Sequence, residues 1–547
     1  DLTAEARQVR LFTLVRRCCQ AIAAHQPLLI VLEGLQWGDQ ATLALLDDVS
    51  AHLENEAIFL AFTFRTRDAM QLATLERPSC IPIPLVDLSP ASARQMLAQL
   101  VGTDELPQAV EQHLGMRDRE GRDSPVNPLF LEEALNVMIG AGVLRVNGRV
   151  QVDETELARM QVPDTIHGLL LARLDRLPPA GRDLLQVASV IGRQFSAEPL
   201  QVIAEAPKQQ TVLKLLTELS ESEMTRLITA DPEWTYLFQH AMTHEVAYES
   251  LPYARRQQLH AAVARWLAAK YKHNLKPLHS VLAYHYSRAD NHAKAVQYAI
   301  LAADEARNIF ANREAIDLYT LAETHLAALN DEKLWETAVH LYLSRGAVFI
   351  LLGEQSLAFE DAEKALDLAN LHEANEEKIV AYNLMAETRY LQRAFEDVIS
   401  LVSKITALAT KKTSPDQLAK AHIWAGWAES SQLNYVAGLN HLNLAEKICK
   451  EQKNNYLLAR VYEAVGYARY LQKELTLSLE AMQQSVELSR EFSTPINIGI
   501  ALSNIGFVQF TLGLYEEAVV TLSEAVKIGR DSGRNLLVSA LINRAAS

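Results

Sequence analysis

The chain has 547 residues, 49% of them hydrophobic, and a formal net charge of −15 at pH 7. That acidic balance excludes a broad nucleic-acid-binding surface, so nucleic acid is not an expected partner. No apolar run approaches the roughly 20 residues of a membrane-spanning helix, and no signal peptide is visible.

At roughly 100–200 residues per domain, the length predicts about three to five domains. The four cysteines, Cys18, Cys19, Cys80 and Cys449, show no metal-ligand spacing and point to a reducing, cytoplasmic setting. The chain opens at Asp1 without a methionine and stops at Ser547 inside a helical pattern, which reads as a piece of a longer protein.

Residues 5–24 place Leu11, Leu14, Val15, Cys18, Cys19 and Ile22 on one helical face. "LLIVL" (28–32) follows and is too short for a helix. It predicts a buried parallel strand that delivers Glu33 to its carboxyl end. A helix is expected over about 40–53, a second apolar strand in "AIFLAFTFR" (57–65), and a third at 81–86, confined to an edge by Pro82 and Pro84. This alternation predicts a parallel sheet covered on both faces, within an α/β region of about 140 residues.

From about residue 160 the strands thin out. Two helices are split by Pro178 and Pro179, two more follow near 198–205 and 209–220, and "LITADPEWTYLFQH" reads as a hairpin around Asp231 and Pro232. Helices followed by a hairpin predict a small winged-helix module, about 160–250.

After about 275 the sequence is nearly all helix and repeats. Gly346, Ala386, Gly426, Gly466 and Gly506 are spaced by 40 residues. Twelve positions on stand Ala358, Val398, Gly438, Ser478 and Ala518, mostly small; sixteen on stand Ala362, Val402, Leu442, Met482 and Leu522, all apolar. Small residues let two helices approach closely, and such units bury their apolar faces only by stacking. The pattern resembles tetratricopeptide repeats in a 40-residue form, with "NIGFVQFTLGLYEEAVVTLSEAVKIG" (504–529) its clearest copy. "AYHYSRADNHAKAVQYAILAADEA" looks like an earlier, divergent unit.

A P-loop nucleotide site needs a Gly-rich loop with a lysine for the phosphates, a strand-end carboxylate for Mg2+ or water, and a neighbouring polar sensor. Glu33 fits the carboxylate, and Arg65, ending the next apolar strand, stands where a guanidinium meets a terminal phosphate. No Gly-Lys pair occurs in the chain, so no G-x-x-x-x-G-K-[ST] loop can be drawn.

"PLLIVLEGLQWGDQATLALL" resembles the Walker B segment of the signal-transduction ATPases with numerous domains. These are AAA-like bacterial proteins often joined to cyclase, protein-kinase or LuxR-type output domains. The resemblance continues through "FTFRTRD", "NPLFLEEALNVMIGAGVL", "VPDTIHGLLLARLDRLPPAGRDLLQVASVIGRQF" and "FQHAMTHEVAYESLPYARRQQLHAAVARWL". It implies a mainly α chain with an α/β part. Residues 1–158 would be the C-terminal part of a P-loop ATPase domain, 159–272 a winged-helix module, and 273–547 an α-solenoid of tetratricopeptide-like hairpins. In that family the phosphate-binding loop lies upstream, so the resemblance implies N-terminal truncation.

It also implies roles. Glu33 matches the Walker B acid and Mg2+ ligand, Arg65 the sensor, Pro128 the lid proline near the base, and His240 the histidine that touches a diphosphate. ATP or ADP with Mg2+ is the implied cofactor. A protein or small molecule on the solenoid is the implied partner, and the output domain is expected outside this stretch. Two departures matter: Gly34 replaces the second acid that polarises water, and Val126 replaces a lid glycine.

Plainer readings stand beside these. Glu33 is otherwise a strand-end acid capping the next helix, Arg65 a surface arginine, Pro128 a first-turn helix proline, and His240 a satisfied histidine. Trp37 and Asp39 read as a packed aromatic and an N-cap. His240 and His244 have the spacing of a zinc pair, but "HAMTH" lacks the metalloprotease glutamate. The functional alternatives are a nucleotide switch with a solenoid sensor, a repeat scaffold with a non-hydrolysing ATPase relic, and, more weakly, a DNA-binding regulator.

Overall fold

The computed structural model describes residues 4–531, apart from 36–37, 39, 53–55, 65–76, 78, 102–106, 118–119, 121, 147–149, 160–162, 164, 205–208, 310 and 491–494. Two compact units result, one of residues 1–81 with 296–547 and one of 82–295.

The first unit opens with α1 (Ala4–Ala23), β1 (Leu28–Leu32), α2 (Gln40–His52) and β2 (Ile58–Phe62). β1 and β2 are parallel, with Leu28 opposite Ile58 and Leu32 opposite Phe62. Val15 and Cys19 of α1 and Leu45 and Val49 of α2 pack on Leu28, Ile30, Ile58 and Leu60. Among the described residues, the expected cover on both faces is present on one. Alternate residues of the strands point away from the helices, leaving Leu29, Val31 and Phe59 61, 54 and 68% exposed. The predicted stripe of α1 is also only half used: Val15, Cys19 and Ala23 turn inward, four residues apart, while Leu11, Leu14 and Ile22 stay exposed.

The expected strand at 81–86 does not form. Pro82 and Pro84 carry no N–H, so every second donor of a ladder is missing. Ile81, Ile83, Leu85 and Val86 are all at least 78% exposed. The first pairing beyond them is the bridge between Leu88 and Val126.

The second unit has two cores. Around the first lie α3 (Pro90–Val101), α4 (Gln108–His113), α5 (Pro128–Gly140), the hairpin β3 (Leu144–Val146) and β4 (Val150–Val152), and α6 (Glu154–Arg159). Next come α7 (Ile166–Asp175) and α8 (Pro179–Ile191), divided at the Pro-Pro pair as its chemistry requires, with Pro179 in the first turn of α8. The remaining elements are β5 (Gln194–Ser196), α9 (Ala197–Ile203), α10 (Gln209–Glu221), β6 (Thr225–Thr229), β7 (Thr235–Phe238), α11 (Ala241–Glu249), α12 (Tyr253–Lys270) and α13 (His279–Arg288). The hairpin expected around Asp231 and Pro232 is present as β6–β7, and β5 joins it in an antiparallel sheet of order β5-β7-β6. Phe195, Tyr236 and Phe238 of this sheet enter the core shared by α7–α12.

The rest is helical: α14 (His292–Asn308), α15 (Asn312–Leu329), then hairpins α16 (Trp335–Leu352) with α17 (Gln355–Leu371), α18 (Asn375–Leu391) with α19 (Phe395–Leu408), α20 (Pro415–Ser431) with α21 (Tyr435–Gln452), α22 (Asn455–Leu471) with α23 (Leu475–Ser489), and α24 (Pro495–Thr511) with α25 (Tyr515–Asp531). The periodic small residues mark the helix contacts. A Cβ on Gly466 would lie 2.6 Å from Met482 Cγ and 3.3 Å from the Ser478 carbonyl, sixteen and twelve residues on. Gly426 meets Leu442 and Gly438 in the same way. The first helices of the hairpins, α16, α18, α20 and α22, pack on one another more closely than the second helices do, so they line the inner side.

Candidate functional site

β1 ends at Leu32, and Glu33 follows, exposed at its carboxyl edge. The chain leaves the strand through Gly34, whose φ is +68°. The Gly34 N–H donates to Thr63 Oγ1 at 3.0 Å. Leu35 N donates to the Thr63 carbonyl and Thr63 N to the Leu32 carbonyl, so the two strand ends are stitched at Thr63. A side chain at position 34 would be strained in the left-handed region. This explains locally why a glycine, not a second acid, follows Glu33. Arg65, Trp37 and Asp39 lie outside the described residues.

Pro128 is the first residue of α5 and is exposed; Asn127 caps the helix, its Oδ1 accepting from Leu129 N at 3.0 Å and Phe130 N at 3.4 Å. His240 is half-buried at the N-cap of α11, and its side chain makes no capping bond. Pro128 sits on an element of the first core of this unit and His240 on one of the second. His244 does not pair with His240. Its Nε2 is 2.9 Å from the Ser189 carbonyl and its ring is edge-on to Phe238, and burial lowers its pKa, so it donates to the carbonyl as a neutral ring.

Of the residues expected at a Mg–nucleotide site, Glu33 is the one carboxylate, and it stands exposed at a strand end. Mg2+ at such sites is held by one or two carboxylates together with the phosphates. Glu33 is of the right chemistry to contribute, but no group of three or more metal-binding side chains occurs among the described residues. With the phosphate-binding wall absent from the sequence, no catalytic step follows from these residues.

Three constellations escaped sequence reasoning because their members are far apart in the chain. Glu133 of α5, 1% exposed, takes Arg173 Nη1 of α7 at 2.9 and 2.8 Å, and Arg173 also donates to the Ser222 carbonyl. In the second core, His260 Nδ1 lies 2.9 Å from His285 Nδ1, and Tyr248 Oη lies 3.0 Å from His260 Nε2.

The third lies on the inner side of the repeats. Tyr390 sits 5.5 Å from Trp424 and 5.9 Å from Trp427, and Trp427 sits 4.9 Å from Tyr467. The Arg460 guanidinium lies over Trp424, 4.9 Å from the ring centre. Glu387 and Glu463 stand in the same neighbourhood. Burial raises the pKa of both carboxyls, against the pull of Arg460 on both and of Lys420 on Glu387.

No family model matches the chain. It is 21% identical over 206 residues to tetratricopeptide repeat protein 29 of Homo sapiens, a match covering 37% of this chain and 42% of that protein, so the chain spans less than half of that relative. A crystal structure of a signal transduction ATPase with numerous domains, bearing a tetratricopeptide repeat sensor, from Pyrococcus horikoshii aligns with 96% of this chain and 78% of that one, at 13% identity and a TM-score of 0.35. A Rap protein complexed with competence and sporulation factor aligns with 63% of this chain and 78% of that one, at 13% identity and a TM-score of 0.29. The chain thus carries a tetratricopeptide-like repeat scaffold, and no helix among its described residues is long and apolar enough to cross a membrane.

Proposed function

We propose that this chain is the sensing and switching part of a signal-transduction protein. The helical repeats receive a partner, and the α/β segment contributes Glu33 to a site for ATP or ADP with Mg2+. Residues 159–272 act as a winged-helix module, and a cyclase, kinase or DNA-binding output domain is fused to the whole. The observation that supports this reading is the exposed carboxylate at the carboxyl end of a parallel β-α-β pair, the edge at which open α/β sheets bind ligands. The partner shifts the switch by binding its two states with different affinity.

Nucleotide binding, turnover and output of the complete gene product test this, with and without Glu33→Gln. The substitution keeps shape and removes the charge. The expected result is a protein that still binds ATP but has an altered nucleotide state and output. Unchanged nucleotide state and output would remove Glu33 from the mechanism.

A second reading has its own support. Gly34 stands where a second acid would polarise water, and its φ of +68° disfavours any side chain there. On that reading the repeats are the working part and the α/β segment is a non-hydrolysing relic. ATP binding without turnover in the complete protein would select it.

A further inference from the structure

The inner face of the repeats carries a site that the nucleotide reading does not use. Glu387, Trp427 and Tyr467 hold the same position in three consecutive repeats, 40 residues apart, on α18, α20 and α22. Tyr390 lies three residues beyond Glu387, and Glu463 stands one turn before Tyr467. Tyr390, Trp427 and Tyr467 are only partly buried although they touch in sequence, so faces of this aromatic row remain open to the groove.

Two carboxylates flank the row, and neither is in an ion pair or hydrogen bond with a cation among the described residues. Arg460 attracts both, but its guanidinium is stacked on Trp424, and no ion pair or hydrogen bond joins it to Glu387 or Glu463. Lys420 of α20 attracts Glu387 more weakly than Arg460 does. Enclosure by the neighbouring helices outweighs both cations, so the two carboxyls hold their protons more tightly than free glutamates do. Glu463 is nonetheless solvent-accessible, as expected for a group lying in a concave surface. Open π faces beside unpaired, half-desolvated carboxylates are the chemistry that captures an ammonium or guanidinium group.

We propose that this groove binds a basic peptide segment, seating a lysine or arginine side chain against Trp427 and Tyr467 with its charge between Glu387 and Glu463. A peptide suits the site better than a free amine because the aromatic row continues past the carboxylates, with Tyr470 of α22 lying 6.0 Å from Phe507 of α24. A chain crossing several repeats can use that length; a single amine cannot. The net charge of −15 adds a long-range attraction for a cationic segment. The inference deepens the sensor reading above and relies on it for its purpose, naming the class of partner the repeats receive.

The test is a selection of random ten-residue peptides, displayed on their mRNA, against the immobilised chain at pH 7. Lysine and arginine should be enriched among selected peptides. The Glu387→Gln/Glu463→Gln double variant, which keeps the side-chain shapes and the fold, should weaken their binding by roughly tenfold or more, about 1.4 kcal/mol. Trp427 fluorescence should change on binding in the wild type. Binding should also weaken as the pH is lowered from 7, with its loss setting in above the pH at which a free glutamate takes up its proton, while Lys420, Arg460 and Tyr390 keep their charge.

Selection of no peptide, no excess of basic residues, or full binding by the double variant would overturn the proposal. Binding of spermidine without any selected peptide would overturn it in favour of a small cationic ligand. The outcomes separate from those of the nucleotide reading: a peptide that binds without altering nucleotide affinity leaves the groove and removes the switch.

Discussion

His260 and His285 meet through their Nδ1 atoms at 2.9 Å, so one ring must donate and the other accept, and the pair is neutral. Burial is the main reason that His260 is pushed down to about 3 and His285 to about 4. His422 and His441 repeat the arrangement at 2.9 Å between α20 and α21, with His422 pushed down to about 4. All four are neutral in the fold and become charged in the unfolded chain below about pH 6.5. For His260, His285 and His422 the contribution to stability is thus complete above about pH 6.5 and is lost as the pH falls toward 4, by at most about 1.4 kcal/mol per pH unit for each imidazole, and His441 adds to it in the same direction. Urea midpoints measured at pH 7.5, 6 and 5 should fall steeply below 6.5, and a His260→Asn/His285→Asn variant should fall less steeply. A flat profile in the wild type would mean that the rings are charged or exposed. Glu133 is a second residue whose role is set by burial. Its ion pair with Arg173 joins α5 to α7, and Glu133→Ala should cost about 3–5 kcal/mol by leaving a desolvated guanidinium. Neither feature was legible in the sequence. Glu132 and Glu133 are adjacent helix acids with nothing local to separate them, and Arg173 lies 40 residues away.

At the scale of the helical hairpin, two positions control the geometry. The first is the close approach that the sequence did show through its small residues. A Cβ on Gly426 would lie 2.5 Å from Leu442 Cγ, and Leu442 is fully buried. Overpacking of this kind costs about 1–3 kcal/mol, more than the roughly 1 kcal/mol that alanine gains over glycine in a helix, so Gly426→Ala should be destabilising. The second is the turn between paired helices, which the sequence hid. Gly353, Arg393, Leu433, Lys473 and Gly513 are 40 residues apart and all have positive φ, from +61° to +81°. Only two of the five are glycine, so composition alone did not mark the position. Leu433, with φ +67°, is also 65% exposed, and a non-glycine residue in this conformation costs about 1–2 kcal/mol. Leu433→Gly should therefore raise the thermal midpoint of the repeats, and Gly353→Ala should lower it. Opposite signs for these two would show that the turn conformation is not what limits the hairpin.

Over the whole chain, features that repeat were legible and features that depend on cover were not. The 40-residue period is a comparison of the chain with itself, and the helix contacts followed from it directly. "LLIVL", in contrast, reads the same whether one or both faces of its sheet are covered, and the structure leaves Leu29, Val31 and Phe59 exposed. For the candidate nucleotide site, Glu33 at its strand end was legible, while the strain that fixes Gly34 beside it was not, because φ is a tertiary property. The repeats also set how a local change spreads. Each hairpin contacts mainly its neighbours, so stability is close to a sum of unit terms and nearest-neighbour terms. Gly426→Ala disturbs α20 and α21 and, through them, the hairpins on either side. Hydrogen exchange should accordingly quicken most in α20 and α21, less in α18, α19, α22 and α23, and not at all in α5 and α7 of the other unit. Uniform acceleration across residues 296–531 would show instead that the repeats fold as one indivisible block, and a signal at the inner face could then not be confined to the hairpins that receive it.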